Sequence, residues 1–65
     1  MMSTKPSHAA TAREDGDWWL VEVPELDTAG QARSAGECEM VAREIIGLWL
    51  DVDPKAIDVT VTVEK

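Results

Sequence analysis

Three carboxylates, Glu14, Asp15 and Asp17, stand close together near the start of the chain. Acids that converge on one point can hold divalent metal ions and drive phosphodiester hydrolysis. Their setting argues against that chemistry. Asp15 precedes Gly16, a dipeptide that favours a tight hairpin turn, where aspartate serves the backbone. The neighbouring positions that could aim further acids into a site carry alanine, valine and tryptophan instead. The single histidine, His8, has no companion nucleophile and reads as a solvated side chain near a frayed edge. The single cysteine, Cys38, has no basic neighbour to lower its pKa and reads as a buried, inert thiol. One Cys and one His cannot complete a four-ligand zinc site, and a lone Cys excludes an intrachain disulfide. No glycine-rich phosphate loop occurs. The expectation is a protein without catalytic residues, metal or cofactor.

What remains is surface and bulk. The 65 residues carry a net charge of −7. The six basic residues are scattered, so no stripe exists to neutralise phosphates, and direct nucleic-acid binding is not expected. An acidic surface suits a basic partner. No apolar run has membrane-spanning length and no signal-peptide core follows the start, so the expected location is the cytoplasm. A single domain of this size is marginal alone, and its usual supports include another chain. Residues 1–7 are expected to be flexible, with one domain over 8–65.

The elements that position the remaining candidates can be read from periodicity. In "WWLVEV", Trp19, Val21 and Val23 alternate with Trp18, Leu20 and Glu22, which marks a strand with one wetter face. With Asp15-Gly16 as a two-residue turn, Arg13 faces Trp18 and Ala12 faces Trp19 across a hairpin. Pro24 ends the second strand. A short third strand is expected near Ala29 to Arg33. Ser34 and Glu37 form a capping box, and the helix that follows should run from about Ala35 to Asp51. Its apolar residues cover roughly 200° of the circumference, where about 100° serves one buried face. Asp53-Pro54 starts a single helical turn. "IDVTVTVEK" then alternates without a break and forms an edge strand, with Ile57, Val59, Val61 and Val63 inward. Trp19 and Trp49 are expected to meet in the core. The fold class is α+β, a two-layer sandwich of the order β-β-β-α-β, with the last strand pairing in parallel.

"DGDWWLVEVPEL" and "GQARSAGECEMVAREIIGLWLDVDP" together resemble the HicB-like antitoxins. The carrying features are the Val23-Pro24-Glu25-Leu26 step, Glu39-Met40-Val41-Ala42-Arg43-Glu44 and Leu48-Trp49-Leu50. The resemblance spans about Ala9 to Lys65. It implies a partial RNase H-like fold with strand order 3-2-1-4 and no nuclease activity. It implies an interaction protein that blocks a small basic RNA-cleaving toxin, HicA. Many members add a C-terminal DNA-binding segment; here the sequence ends at Lys65, directly after the last strand, and operator binding is not expected. The family's glycine-rich "PGC" stretch is replaced by Asp27-Thr28-Ala29.

Two surfaces follow from this reading. Ile46 and Leu50 extend the helix's apolar arc, Leu50 lying roughly 130° from its centre, and with Glu39 and Arg43 they are expected to meet a second copy in a homodimer or larger oligomer. Trp18 and Leu20 on the wetter sheet face, with Glu22, Asp17 and Glu25 as stand-ins for RNA phosphates, are expected to receive the toxin. The alternative is a stand-alone, self-assembling scaffold or ligand-binding module without a toxin.

Overall fold

The computed structural model describes residues 7–64. It is an α+β fold of two layers, one four-stranded mixed sheet and one helix. The strands are β1 (Ser7–Asp15), β2 (Trp18–Val23), β3 (Thr28–Ala32) and β4 (Asp58–Val63), and the helix is α1 (Cys38–Leu50). Their order across the sheet is β3-β2-β1-β4. β1 pairs antiparallel with β2 and parallel with β4, and β2 pairs antiparallel with β3. Ser7, expected in a flexible segment over 1–7, belongs to β1; residues 1–6 of that expectation, and Lys65, lie outside the described residues.

The first hairpin differs from expectation by one residue in its turn. Asp15 faces Trp18, Arg13 faces Leu20 and Ala12 faces Val21. The turn is therefore Gly16-Asp17, and of these two only Gly16 has a positive φ, 66°. Glycine first with positive φ is the type II′ pattern rather than type I′. Moving the turn one residue along shifts pairing by two, and a two-residue shift leaves each side chain on its face. Ala10, Ala12, Val21 and Val23 are accordingly buried together. β1 supplies only alanines to the core, so its volume comes from the valines of β2, from Ile57 and Val59, and from Cys38, Ala42 and Ile46 of the helix.

The helix begins later than the capping box suggests. A 3-10 turn, Ala35–Glu37, precedes it, and the Ser34 side chain accepts no capping bond. Glu37 reaches back one residue further than expected: its Oε1 accepts from the backbone amide of Arg33 at 3.1 Å. At the other end Asp51 adopts a left-handed conformation (φ 57°) and its amide donates to Gly47 O. The Val52 amide donates to the same oxygen at 3.0 Å. This is a Schellman-type stop in which Asp replaces the usual glycine, and it reverses the chain sharply. Pro54–Ala56 forms the single helical turn anticipated from the sequence, with Asp53 Oδ1 accepting from the Lys55 amide at 2.9 Å.

Candidate functional site

Two tryptophans end up far apart. Trp19 lies next to Ala32 across the sheet, near the start of α1, and packs on the core. Trp49 is 59% exposed. It shares the sheet-facing side of α1 with Cys38 and Ala42, but eleven residues beyond Cys38 it lies roughly 16 Å further along the axis. It has passed the part of the helix that the core covers. The expected contact between Trp19 and Trp49 is therefore absent, and Trp49 belongs to a surface.

That surface is the last turn of the helix. Leu48 is 85% exposed, the most open of the large apolar side chains among the described residues, and Trp49, Leu50 and Val52 are exposed beside it. The reversal at Asp51 sends the chain back over Gly47 instead of onward over these side chains, so they project past the body of the fold. Leu48 and Val52 line a shallow cleft of about 400 Å³ together with Glu44, Gly47, Asp51 and Pro54. A smaller concavity lies directly between Leu48 and Trp49. No basic residue stands in the last turn of α1. The helix dipole leaves partial negative charge at this end, and Glu44 and Asp51 add to it. An apolar patch framed by acidic side chains at the negative end of a helix is complementary to a basic surface with an apolar centre.

The residues expected to mediate self-association are placed differently. Ile46 has no exposed surface at all; it is among the largest side chains of the core. It points inward because the sheet-facing arc is centred near Ala42, about 60° round from the Ile45 centre assumed for a wider arc. Ile46 cannot meet another chain, and that expectation is corrected. Leu50 remains exposed. Glu39 and Arg43 pair with each other one turn apart, Nη2 to Oε2 at 3.6 Å, and as an exposed pair they contribute little to stability.

The expected toxin-facing set does not form one patch. Trp18, Leu20 and Glu22 do share the sheet face away from the helix. Arg13 lies opposite Leu20, and the Arg33 guanidinium sits 5.9 Å from the centre of the Trp18 ring. The charge nearest Trp18 and Leu20 thus includes two arginines, which does not suit a mimic of phosphates. Asp17 is in the hairpin turn at one end of β2, and Glu25 is in a 3-10 turn (Pro24–Leu26) at the other. Glu25 also faces the other way: its Oε1 is 2.8 Å from His8 Nδ1, and His8 shares the inward side of β1 with Ala10 and Ala12. His8 is therefore a largely enclosed, partnered side chain of a strand, not the solvated histidine expected. Its Nε2 is buried with no partner among the described residues.

The acids near the hairpin diverge. Glu14 and Asp15 are neighbours on β1 and point to opposite faces, and Asp17 stands in the turn. Among the described residues no group of three or more His, Cys, Asp or Glu is placed to hold a metal ion. No helix among them is long and apolar enough to cross a membrane.

Cys38 is buried, and its Sγ lies 3.5 Å from the Ser34 carbonyl oxygen. Burial, with a smaller contribution from Glu37, raises its pKa above the ordinary thiol value of 9.0. The unfolded chain loses this proton at lower pH than the folded one. The stability that the buried neutral thiol contributes is complete below the ordinary thiol pKa and declines as pH rises above it. The expected result is that the urea midpoint of the wild type falls between pH 8 and pH 10 by more than that of Cys38→Ala. Equal slopes would show that the thiol ionises as freely in the fold as in the unfolded chain.

Comparison of the chain with protein-family models, with curated proteins and with solved structures returned no match.

Proposed function

We propose that the protein is an antitoxin-like interaction module of the HicB-like kind, which binds a small basic RNA-cleaving enzyme and blocks it sterically. The observation that carries this reading is the acid-framed apolar end of α1, where Leu48, Trp49 and Val52 stand exposed beside Glu44 and Asp51. Exposed apolar side chains of this size, clustered and rimmed by charge of one sign, mark a partner surface of matching shape and opposite sign. The resemblance to HicB-like antitoxins supplies the class of partner. The β-β-β-α-β order and the β3-β2-β1-β4 sheet agree with what that resemblance implies for a partial RNase H-like domain. In this reading Leu48 and Trp49 fill an apolar hollow on the toxin, while Glu44 and Asp51 meet lysines or arginines that otherwise hold RNA phosphates. The toxin is inhibited because its RNA-binding surface is covered, and no covalent step is involved.

The test is co-expression with the product of an adjacent small basic reading frame. The wild type is expected to relieve RNA cleavage, and Leu48→Glu is expected to bind at least about tenfold more weakly. Leu48 is so open that little packing is lost, and Leu48→Glu should stay folded at a cost of about 0.5–1.5 kcal/mol, from the negative end of the helix and Glu44 one turn away. Binding should also weaken as salt is raised from low to physiological strength. Failure of the wild type to restrain any such enzyme, or full inhibition by Leu48→Glu, would exclude this account.

A further inference from the structure

We infer that β4 is a self-pairing edge, through which two copies of this chain join antiparallel into one continuous eight-stranded sheet. The inference does not depend on the partner proposed above, since it rests on the backbone edge of β4 rather than on Leu48 and Trp49.

β4 is an outermost strand of the sheet. The Glu64 amide donates to the Ala12 carbonyl oxygen at 2.7 Å, so Glu64 turns its backbone groups toward β1. By the two-residue period of a strand, Asp58, Thr60 and Thr62 do the same, and Val59, Val61 and Val63 direct their amides and carbonyls away from the sheet. Among the described residues these form a row of donors and acceptors without partners. Natural edges are usually blunted by lysine, proline, a bulge or a covering element. Between Asp58 and Val63 there is no lysine or proline, and the pairing with β1 runs without interruption from Ser7–Asp58 to Ala12–Val63.

A second copy is the occupant that fits best, because the strand reads the same in both directions. Val59-Thr60-Val61-Thr62-Val63 is a palindrome about Val61. On a two-fold axis through Val61, that residue faces its own copy and Val59 faces Val63, each pair exchanging both backbone bonds. Thr60 then faces Thr62 at the closer, non-bonded spacing on the outer face, a favourable cross-strand pair. Asp58 faces Glu64 at the ends, and that like-charge pair is the expected weak point.

An axis perpendicular to the sheet keeps both helices on one side. Val41 and Ile45 of α1 crowd Gly30 on β3, where a Cβ would come within 2.8 Å of Ile45 Cδ1. The opposite flank, carrying Glu39, Leu50 and Arg43 beyond buried Ile46, therefore leans toward β4. Val63, on the inward face of β4, is 49% exposed in the single chain, and Leu50 is exposed on that flank. In the joined sheet these side chains from both copies line the trough between two antiparallel helices. Leu50 thus keeps the self-association role anticipated for it, through a seam in the sheet rather than a helix-to-helix contact.

The experiment is analytical ultracentrifugation combined with amide hydrogen exchange on the wild-type chain, beside Val63→Pro. The wild type is expected to be a concentration-dependent dimer. In the dimer, the Val59, Val61 and Val63 amides should exchange at least about tenfold more slowly than in the dilute monomer. Val63→Pro removes one outward amide and no bond within the chain, so it should be a folded monomer. Should that variant fail to fold, Thr62→Lys, which places charge on the same edge from the outer face, takes its place. A monomeric wild type, or a dimer in which those three amides exchange no more slowly, would overturn the inference.

Discussion

Ile46→Ala is expected to leave much of the protein unfolded at room temperature. Ile46 is wholly buried on the sheet-facing side of α1, in one core cluster with Val21, Val23 and Ile57. Replacing a buried isoleucine by alanine costs about 2–5 kcal/mol, because the transfer energy is lost and a cavity remains. A domain of this size has roughly 3–5 kcal/mol in total. β1 offers only alanines beneath the helix, too short to reach into the space. Ile46→Val should cost only about 0.5–1.5 kcal/mol and remain folded. Urea titrations followed by circular dichroism separate the three proteins. A midpoint for Ile46→Ala within error of the wild type would show that Ile46 does not occupy the core. The same burial means that a glutamate at position 46 would unfold the chain rather than dissociate an oligomer. Leu50→Glu alone is the informative change for assembly.

Gly47→Ala is expected to destabilise the fold by about 1–3 kcal/mol, opposite in sign to its effect on helix propensity. In an isolated helix, alanine is better than glycine by about 1 kcal/mol. Here the chain folds back over Gly47 after the reversal at Asp51. A Cβ at position 47 would lie 2.9 Å from the Val52 carbonyl oxygen and 3.1 Å from Pro54 Cγ. The first of these is backbone, held by the bond from the Val52 amide to Gly47 O, and it cannot move without disturbing the helix stop. Thermal melts of Gly47→Ala and Gly36→Ala make the comparison. An added Cβ at Gly36 meets only Ser34 Oγ, at 4.0 Å, and that variant should be neutral or slightly stabilised. A gain in stability at position 47 would mean that the return of the chain over the helix is looser than described.

Both results bear on how the interaction surface is built. The tight return over Gly47 is what leaves Leu48, Trp49 and Val52 unroofed. A variant that loosens the Schellman stop should alter partner binding as well as stability.

Local patterns sufficed where one period or one dipeptide decides the outcome. Strict alternation in "WWLVEV" and "IDVTVTVEK" placed β2 and β4 and the inward faces of both. Asp53-Pro54 placed the helical turn before β4 because the capping side chain and the proline act within a few residues. The register of the first hairpin was open by one turn position, since Asp15-Gly16 and Gly16-Asp17 are both acceptable turn pairs. Both keep Val21 and Val23 on the inward face, so alternation cannot choose between them; in the structure Gly16 stands first in the turn, where its positive φ is accommodated.

The charge of −7, the lone buried thiol, the strands and the helix follow from residue types and short-range spacing alone. Which part of the helix's broad apolar arc would be core and which surface did not, because angular position says nothing about distance along the axis. Trp49 shares an angle with Cys38 and Ala42, yet only the tertiary structure reveals that it lies beyond the covered part of the helix. Ile46 sits at the rim of the arc, yet the crossing of helix over sheet makes it central. Glu25 follows a strand whose outer face it was expected to join, and the turn after Pro24 carries it to His8 on the other side. Sequence periodicity fixes direction around an element; the ends of the elements packed against it decide what is finally exposed.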